Sequence, residues 1–136
     1  MKVMLDTNTC IAIIKRKPPQ ALARFNAYKV GEIGISWVTL AELEFGAAKS
    51  QHQEKNQAAL DEFVVPLEIA NFNRETARVY GRARATLEKK GTPIGSLDMM
   101  IGAHALSLGV TLATNNTREF CRIKGLSVVD WLDDKG

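Results

Sequence analysis

Short, nearly continuous apolar runs alternate along this chain with longer stretches in which apolar residues recur every three or four positions. The first pattern suits strands buried on both faces, and the second marks one side of a helix. Lys2 to Asp6 reads as the first strand, and Thr9 to Lys17 as a short helix with Cys10, Ile13 and Ile14 on one side. Pro18-Pro19 ends that helix, and Pro19 opens a second one carrying Leu22 and Phe25. Gly31 breaks it, and Glu32 to Ser36 is a second buried strand. From Val38 the spacing is helical again, with Leu40, Leu43 and Ala47 three or four apart and Ala41 and Phe45 likewise. This helix carries Glu42 in its first turns.

Ser50 to Lys55 is a polar turn before a fourth helix with Leu60, Phe63 and Val64 as its stripe. Pro66 to Ala70 is a weaker strand. Asn73 is a good N-cap for a long helix to about Lys90, with Thr76, Tyr80, Ala83 and Leu87 facing inward. Gly91-Thr92-Pro93-Ile94-Gly95 is a loop rich in breakers. The next helix starts at Ser96 or Leu97 and stops at Gly109, and its small residues Gly102, Ala103 and Ala105 let it approach a sheet closely. Val110 to Thr114 is a strand, Asn115-Asn116 the loop beyond it, Thr117 to Ile123 a helical turn, and Leu126 to Asp130 the last strand, with Trp131 and Leu132 closing the chain. Alternating strands and helices predict an α/β fold with a mostly parallel sheet of four to five strands, covered on both faces.

The 136 residues fit one domain, 1–136, able to bury roughly 70% of the unfolded surface. At 46% hydrophobic and 24% charged the composition is that of an ordinary globule. No apolar run reaches the roughly 18 residues of a membrane span, and no signal-peptide core opens the chain, so a cytoplasmic location is expected. Cys10 and Cys121 have neither redox nor zinc spacing and read as buried free thiols. The net charge of +3 is compatible with a nucleic-acid partner without requiring one. Its cations cluster at Lys15 to Lys17, Arg74 to Arg84, Lys89-Lys90, and Arg118, Arg122 and Lys124.

The candidate chemistry lies where strands end. In a parallel sheet, ligands bind beyond the carboxyl ends of the strands. Asp6 leaves the first strand, Ser36 the second with Glu42 on the helix just after it, and Thr114, Asn115 and Asn116 a later one. A helix that precedes a parallel strand starts at the carboxyl edge, which puts Asp98 on the same rim. Carboxylates gathered in one cleft repel unless a cation sits among them. With no His or Cys at these positions, a hard ion such as Mg²⁺ or Mn²⁺ that keeps several waters is the match. Beside basic helices, such a site suits phosphodiester hydrolysis. Thr7, Asn8, Ser36, Asn115 and Asn116 are neutral groups able to orient water or phosphate oxygens, and Glu119 is a possible fourth acid. Plainer roles exist for each: Asp6 or Thr7 as a helix cap, Asp98 as a helix-dipole acid, Glu119 as a partner of Arg118 or Arg122, and His104 as a core histidine.

Together these residues resemble the PIN-domain nucleases, and within them the VapC-like toxins of bacterial toxin–antitoxin pairs. The resemblance rests on Met4-Leu5-Asp6-Thr7-Asn8, Thr39-Leu40-Ala41-Glu42-Leu43, the Gly91–Gly95 loop leading to Asp98 and Ile101-Gly102-Ala103-His104-Ala105, and Thr114-Asn115-Asn116 followed by Arg118-Glu119-Phe120. It implies an α/β/α sandwich and a Mg²⁺-dependent endoribonuclease with Asp6, Glu42 and Asp98 in the family's regular acidic positions, Asp6 and Asp98 being direct metal ligands. The family's fourth acid is commonly an aspartate where this chain has Asn115 and Asn116, and Glu119 matches a slightly later acidic position. The resemblance also implies a VapB-type antitoxin that occludes the site, a homodimer within a toxin–antitoxin hetero-oligomer, operator DNA bound through the antitoxin, and an RNA substrate such as tRNA cut near the anticodon, initiator tRNA among them. Two other classes compete. An aspartyl phosphatase would need an acid where Asn8 stands, and a non-catalytic RNA- or partner-binding module would keep the fold without the cutting.

Overall fold

The computed structural model describes residues 1–133; the last three residues of the expected 1–136 domain lie outside the described residues. The elements run β1 (Val3–Leu5), α1 (Thr7–Lys15), α2 (Pro19–Asn26), β2 (Ile33–Ser36), α3 (Trp37–Lys49), α4 (Gln53–Val64), β3 (Glu68–Ala70), α5 (Arg74–Lys89), α6 (Ser96–Leu108), β4 (Thr111–Ala113), α7 (Thr117–Phe120) and β5 (Val128–Val129). The five strands form one sheet in the order β3-β2-β1-β4-β5. Every neighbouring pair is parallel, with Val3 opposite both Ile33 and Thr111. β1 is therefore the central strand.

Alternation along these short strands divides the interior in two. Val3, Leu5, Ile33, Ile35 and Ala113 point to one face, where Cys10 and Ile13 of α1, Ala21 of α2, Leu43 and Ala47 of α3 and Leu60 of α4 cover them. Met4 and Leu112 point to the other, packed by Leu87 of α5, Met99, Ile101 and Ala103 of α6, and Phe120 of α7. Helices on both faces complete the α/β/α arrangement. Among the described residues no helix is long and apolar enough to cross a membrane.

Gly34 allows a close approach at the β2–β3 seam. A Cβ there would lie 2.6 Å from the Glu68 carbonyl oxygen and would also strike the Met1 side chain. The Asn73 side chain caps α5 by accepting from Thr76 N at 3.0 Å, and Gly109, at φ 68°, closes α6.

Several sequence expectations are corrected. Cys10 is buried, but Cys121 is exposed, because it follows the short α7 on its outer side. The last strand contracts to Val128–Val129, paired only with β4 at the sheet edge. Helix α1 begins at Thr7 rather than Thr9, since Asp6 itself is the cap.

Candidate active site

The rim is built from the ends of β1, β2 and β4. Asp6 is the residue after β1, and its N–H donates to the Ala113 carbonyl of β4 at 3.0 Å. One carboxylate oxygen, Oδ1, accepts from Thr9 N at 2.9 Å, so the side chain does cap α1. That bond is with one oxygen of a carboxylate that is only 4% exposed. A cap that served helix α1 alone would sit comfortably in solvent; here it is enclosed by the other strand ends.

Glu42 lies in the second turn of α3 and is half-buried. The Thr7 hydroxyl donates to its Oε1 at 2.7 Å, tying the first residue of α1 to α3. Asp98 lies in the first turn of α6, whose Gly95 cap offers no side-chain bond. Glu119 is in α7, where Asn116 Nδ2 donates to its Oε2 at 3.0 Å. The Asn116 amide also bonds the Asp98 side chain, while its own N–H donates to Thr114 Oγ1 at 2.9 Å. One neutral amide thus joins two of the acids.

Asp98 reports the electrostatics of the cluster. Its pKa is raised above the ordinary 3.8, first by burial and then by the charges of Asp6, Glu42 and Glu119, with the Asn116 hydrogen bond acting in the opposite sense. Asp6, Glu42 and Glu119 are thus each within electrostatic reach of Asp98. The described ion pairs, Lys2–Glu32 and Arg84–Glu88, do not involve them.

Among the described residues no three His, Cys, Asp or Glu side chains stand close enough together in this geometry to hold a metal ion. An open rim of oxygen donors, mutually repulsive and without a protein cation, fits a hard divalent ion that keeps part of its water shell. The donor set offers zinc nothing it prefers.

The neutral candidates divide. Asn8 and Asn115 are exposed. Thr7 and Asn116 are already engaged with Glu42 and with Glu119 and Asp98. Ser36, expected at the substrate edge, is fully buried: its hydroxyl accepts from Val38 N at 3.1 Å and pairs with His104 Nδ1 at 2.7 Å. It holds β2, α3 and α6 together and does not reach the surface. His104 is the core histidine that the small residues around it imply, with Phe72 edge-on to its ring. Two threonines support the rim, Thr114 at the strand end the sequence marks and Thr9, which the sequence assigns only to the helix. Thr9, through its hydroxyl, donates to the Ala113 carbonyl at 3.2 Å, and Thr114 anchors Asn116. Their signal was a buried hydroxyl residue next to a strand end.

A parallel α/β sheet with four acids at its carboxyl edge, none of them in a described ion pair, defines a metal-dependent phosphodiesterase class. Residues 3–126 match the PIN domain model, and the chain belongs to the PIN domain family, whose nucleases use divalent metal ions. The chain is similar to the tRNA(fMet)-specific endonuclease VapC of Shigella flexneri, at 46% identity over 131 residues, covering 96% of this chain and 98% of that one. Among solved structures it is similar to DNA-bound VapBC from Salmonella typhimurium, with TM-score 0.91 and 46% identity over 96% of this chain and 98% of that one. It is also similar to VapBC2 from Rickettsia felis bound to a promoter DNA fragment, with TM-score 0.89 and 38% identity over 96% and 99% of the two chains.

Proposed function

We propose that this protein is a Mg²⁺-dependent endoribonuclease and the toxin of a VapBC-type toxin–antitoxin module, acting in the cytoplasm on tRNA, with initiator tRNA the leading candidate. The observation that carries this reading is the gathering of Asp6, Glu42 and Glu119 around Asp98 at the carboxyl ends of the strands, with none of these acids in a described ion pair. The relatives' names supply the substrate and partner classes: a tRNA(fMet) endonuclease, and toxin–antitoxin complexes on DNA. A VapB-type antitoxin would cover the rim and bring the complex to operator DNA, and the toxin itself would pair as a homodimer.

Asp6 and Asp98 are the residues we assign to the metal, Mg²⁺ with Mn²⁺ as a substitute. The ion would lower the pKa of an attacking water and neutralise charge gathering on the scissile phosphate. Glu42, oriented by Thr7, is placed to accept a proton from that water. Glu119, held by Asn116, takes the position of the fourth acid. Exposed Asn8 and Asn115 are offered to the RNA as hydrogen-bonding groups. Residues 1–136 act as a single unit in this scheme.

Asp6→Asn or Asp98→Asn should abolish both RNA cleavage with Mg²⁺ and growth arrest on induction, while circular dichroism stays native. Full cleavage by either purified, metal-loaded variant would overturn the mechanism. Metal-independent RNA binding without cutting by the native protein would instead select a non-catalytic binding module.

A further inference from the structure

Away from the acidic rim, α5, the end of α6 and the segment after α7 enclose a groove of about 310 Å³. Its floor is apolar, including Leu87 and Ile123, and its walls carry Arg82, Lys90, Arg122 and Lys124. No described ion pair neutralises these cations: α5's paired arginine, Arg84, is bonded instead to Glu88 at 3.1 Å. The groove is tied to the catalytic rim by one stretch of chain and one hydrogen bond. Arg122 follows Glu119 by three residues, and its Nη1 donates to the Pro93 carbonyl at 3.0 Å, in the loop that leads into the helix of Asp98.

The acidic rim itself repels a polyanion, so an RNA held there needs compensating attraction nearby. We propose that this groove is a second contact surface for the substrate, binding the phosphate backbone of the RNA segment that leaves the cut site. The inference rests on the ribonuclease reading and deepens it. Four cations around an apolar floor, unpaired by acids and joined to the rim, complement a backbone running past it. The contact is with phosphates, so it contributes affinity and register and no base preference.

The test measures binding of a tRNA transcript, by filter retention across a salt series, to protein carrying Asp98→Asn so that cleavage does not intervene. Two charge-matched sets are compared: Arg82→Gln, Lys90→Gln and Lys124→Gln in the groove, and Lys29→Gln, Lys49→Gln and Lys55→Gln elsewhere, all exposed positions. The groove set should weaken binding by roughly tenfold or more and flatten the slope of log K against log salt by about 2, as expected for about three lost phosphate contacts. The second set should leave the slope near its starting value. Equal losses in both sets would overturn the proposal, since net charge alone would explain them. Unchanged tRNA affinity with lost antitoxin co-purification would also overturn it, making the groove a protein-binding face. Binding is measured without added metal, so cleavage by the Asp98→Asn parent once Mg²⁺ is supplied would sink the catalytic assignment while leaving the binding comparison intact.

Discussion

The Thr7 hydroxyl donates to Glu42 Oε1 at 2.7 Å, so the first residue of α1 orients a carboxylate that belongs to α3. A hydrogen bond to a charged group contributes about 1.5–3 kcal/mol. Thr7→Val keeps the shape and removes the donor. It should lower cleavage roughly tenfold or more, with Thr7→Ser retaining most activity. Initial rates on tRNA with Mg²⁺ check this, and equal rates for the Val and Ser variants would show that the bond does not serve the reaction.

Asp98 leads to a prediction about stability. Its folded-state pKa is raised, so the protonated side chain is the favoured form in the fold. The stabilisation from protonation is fully present below the ordinary carboxylate range and is lost as pH rises through the raised value. At pH 7 the ionised group therefore works against the fold. Metal-free Asp98→Asn should melt higher than the native protein at pH 7, with the difference shrinking toward pH 3. Added Mg²⁺ should raise the native melting temperature and leave that of the variant nearly unchanged. Thermal scans at the two pH values, with and without metal, decide it.

The sheet and the acid rim were legible because they rest on patterns the chain states openly. Val3 to Leu5 and Leu112 to Ala113 are apolar on both faces, and Asp6, Glu42 and Asp98 each follow a strand or lie in the first two turns of a helix that must meet the carboxyl edge. What stayed hidden depends on side-chain direction across elements. Ser36 and Asn115 are both polar residues at strand ends, yet one is locked under α6 by His104 and the other is exposed. The Asn116 amide joins Glu119 to Asp98, residues from α7 and α6 whose approach no spacing in the chain encodes. The outward orientation of Cys121 is hidden in the sequence because α7 is only one turn long, too short for a periodicity to reveal its inner side.

His104 predicts the opposite pH response. Burial lowers its pKa from the ordinary 6.5, so it stays neutral in the fold while pairing with Ser36. On acidification the unfolded chain takes up the proton first. The stabilisation is present above the ordinary value and is lost as pH falls through the lowered one. The native protein should lose urea resistance between pH 7.5 and 5.5, and His104→Asn, less stable throughout, should lose less over the same interval. Parallel declines would assign the acid sensitivity to other groups.

Two glycines in helices separate packing from propensity. A Cβ at Gly102 would lie 2.5 Å from Ile123 Cδ1 and 3.2 Å from the Phe120 ring, whereas one at Gly81 would meet nothing within 4 Å. Gly81→Ala should therefore stabilise by about 0.5–1 kcal/mol, the ordinary helix preference for alanine. Gly102→Ala gains the same preference but overpacks the contact between α6 and α7, at a cost of about 1–3 kcal/mol. Ile123 must shift and the Phe120 ring must give way slightly, and Phe120 adjoins Glu119, so the strain should reach the fourth acid. Urea midpoints should move up for Gly81→Ala and down for Gly102→Ala, and only Gly102→Ala should also need more Mg²⁺ for half-maximal cleavage. A stable Gly102→Ala protein with unaltered metal dependence would show that the α6–α7 contact yields without moving Glu119.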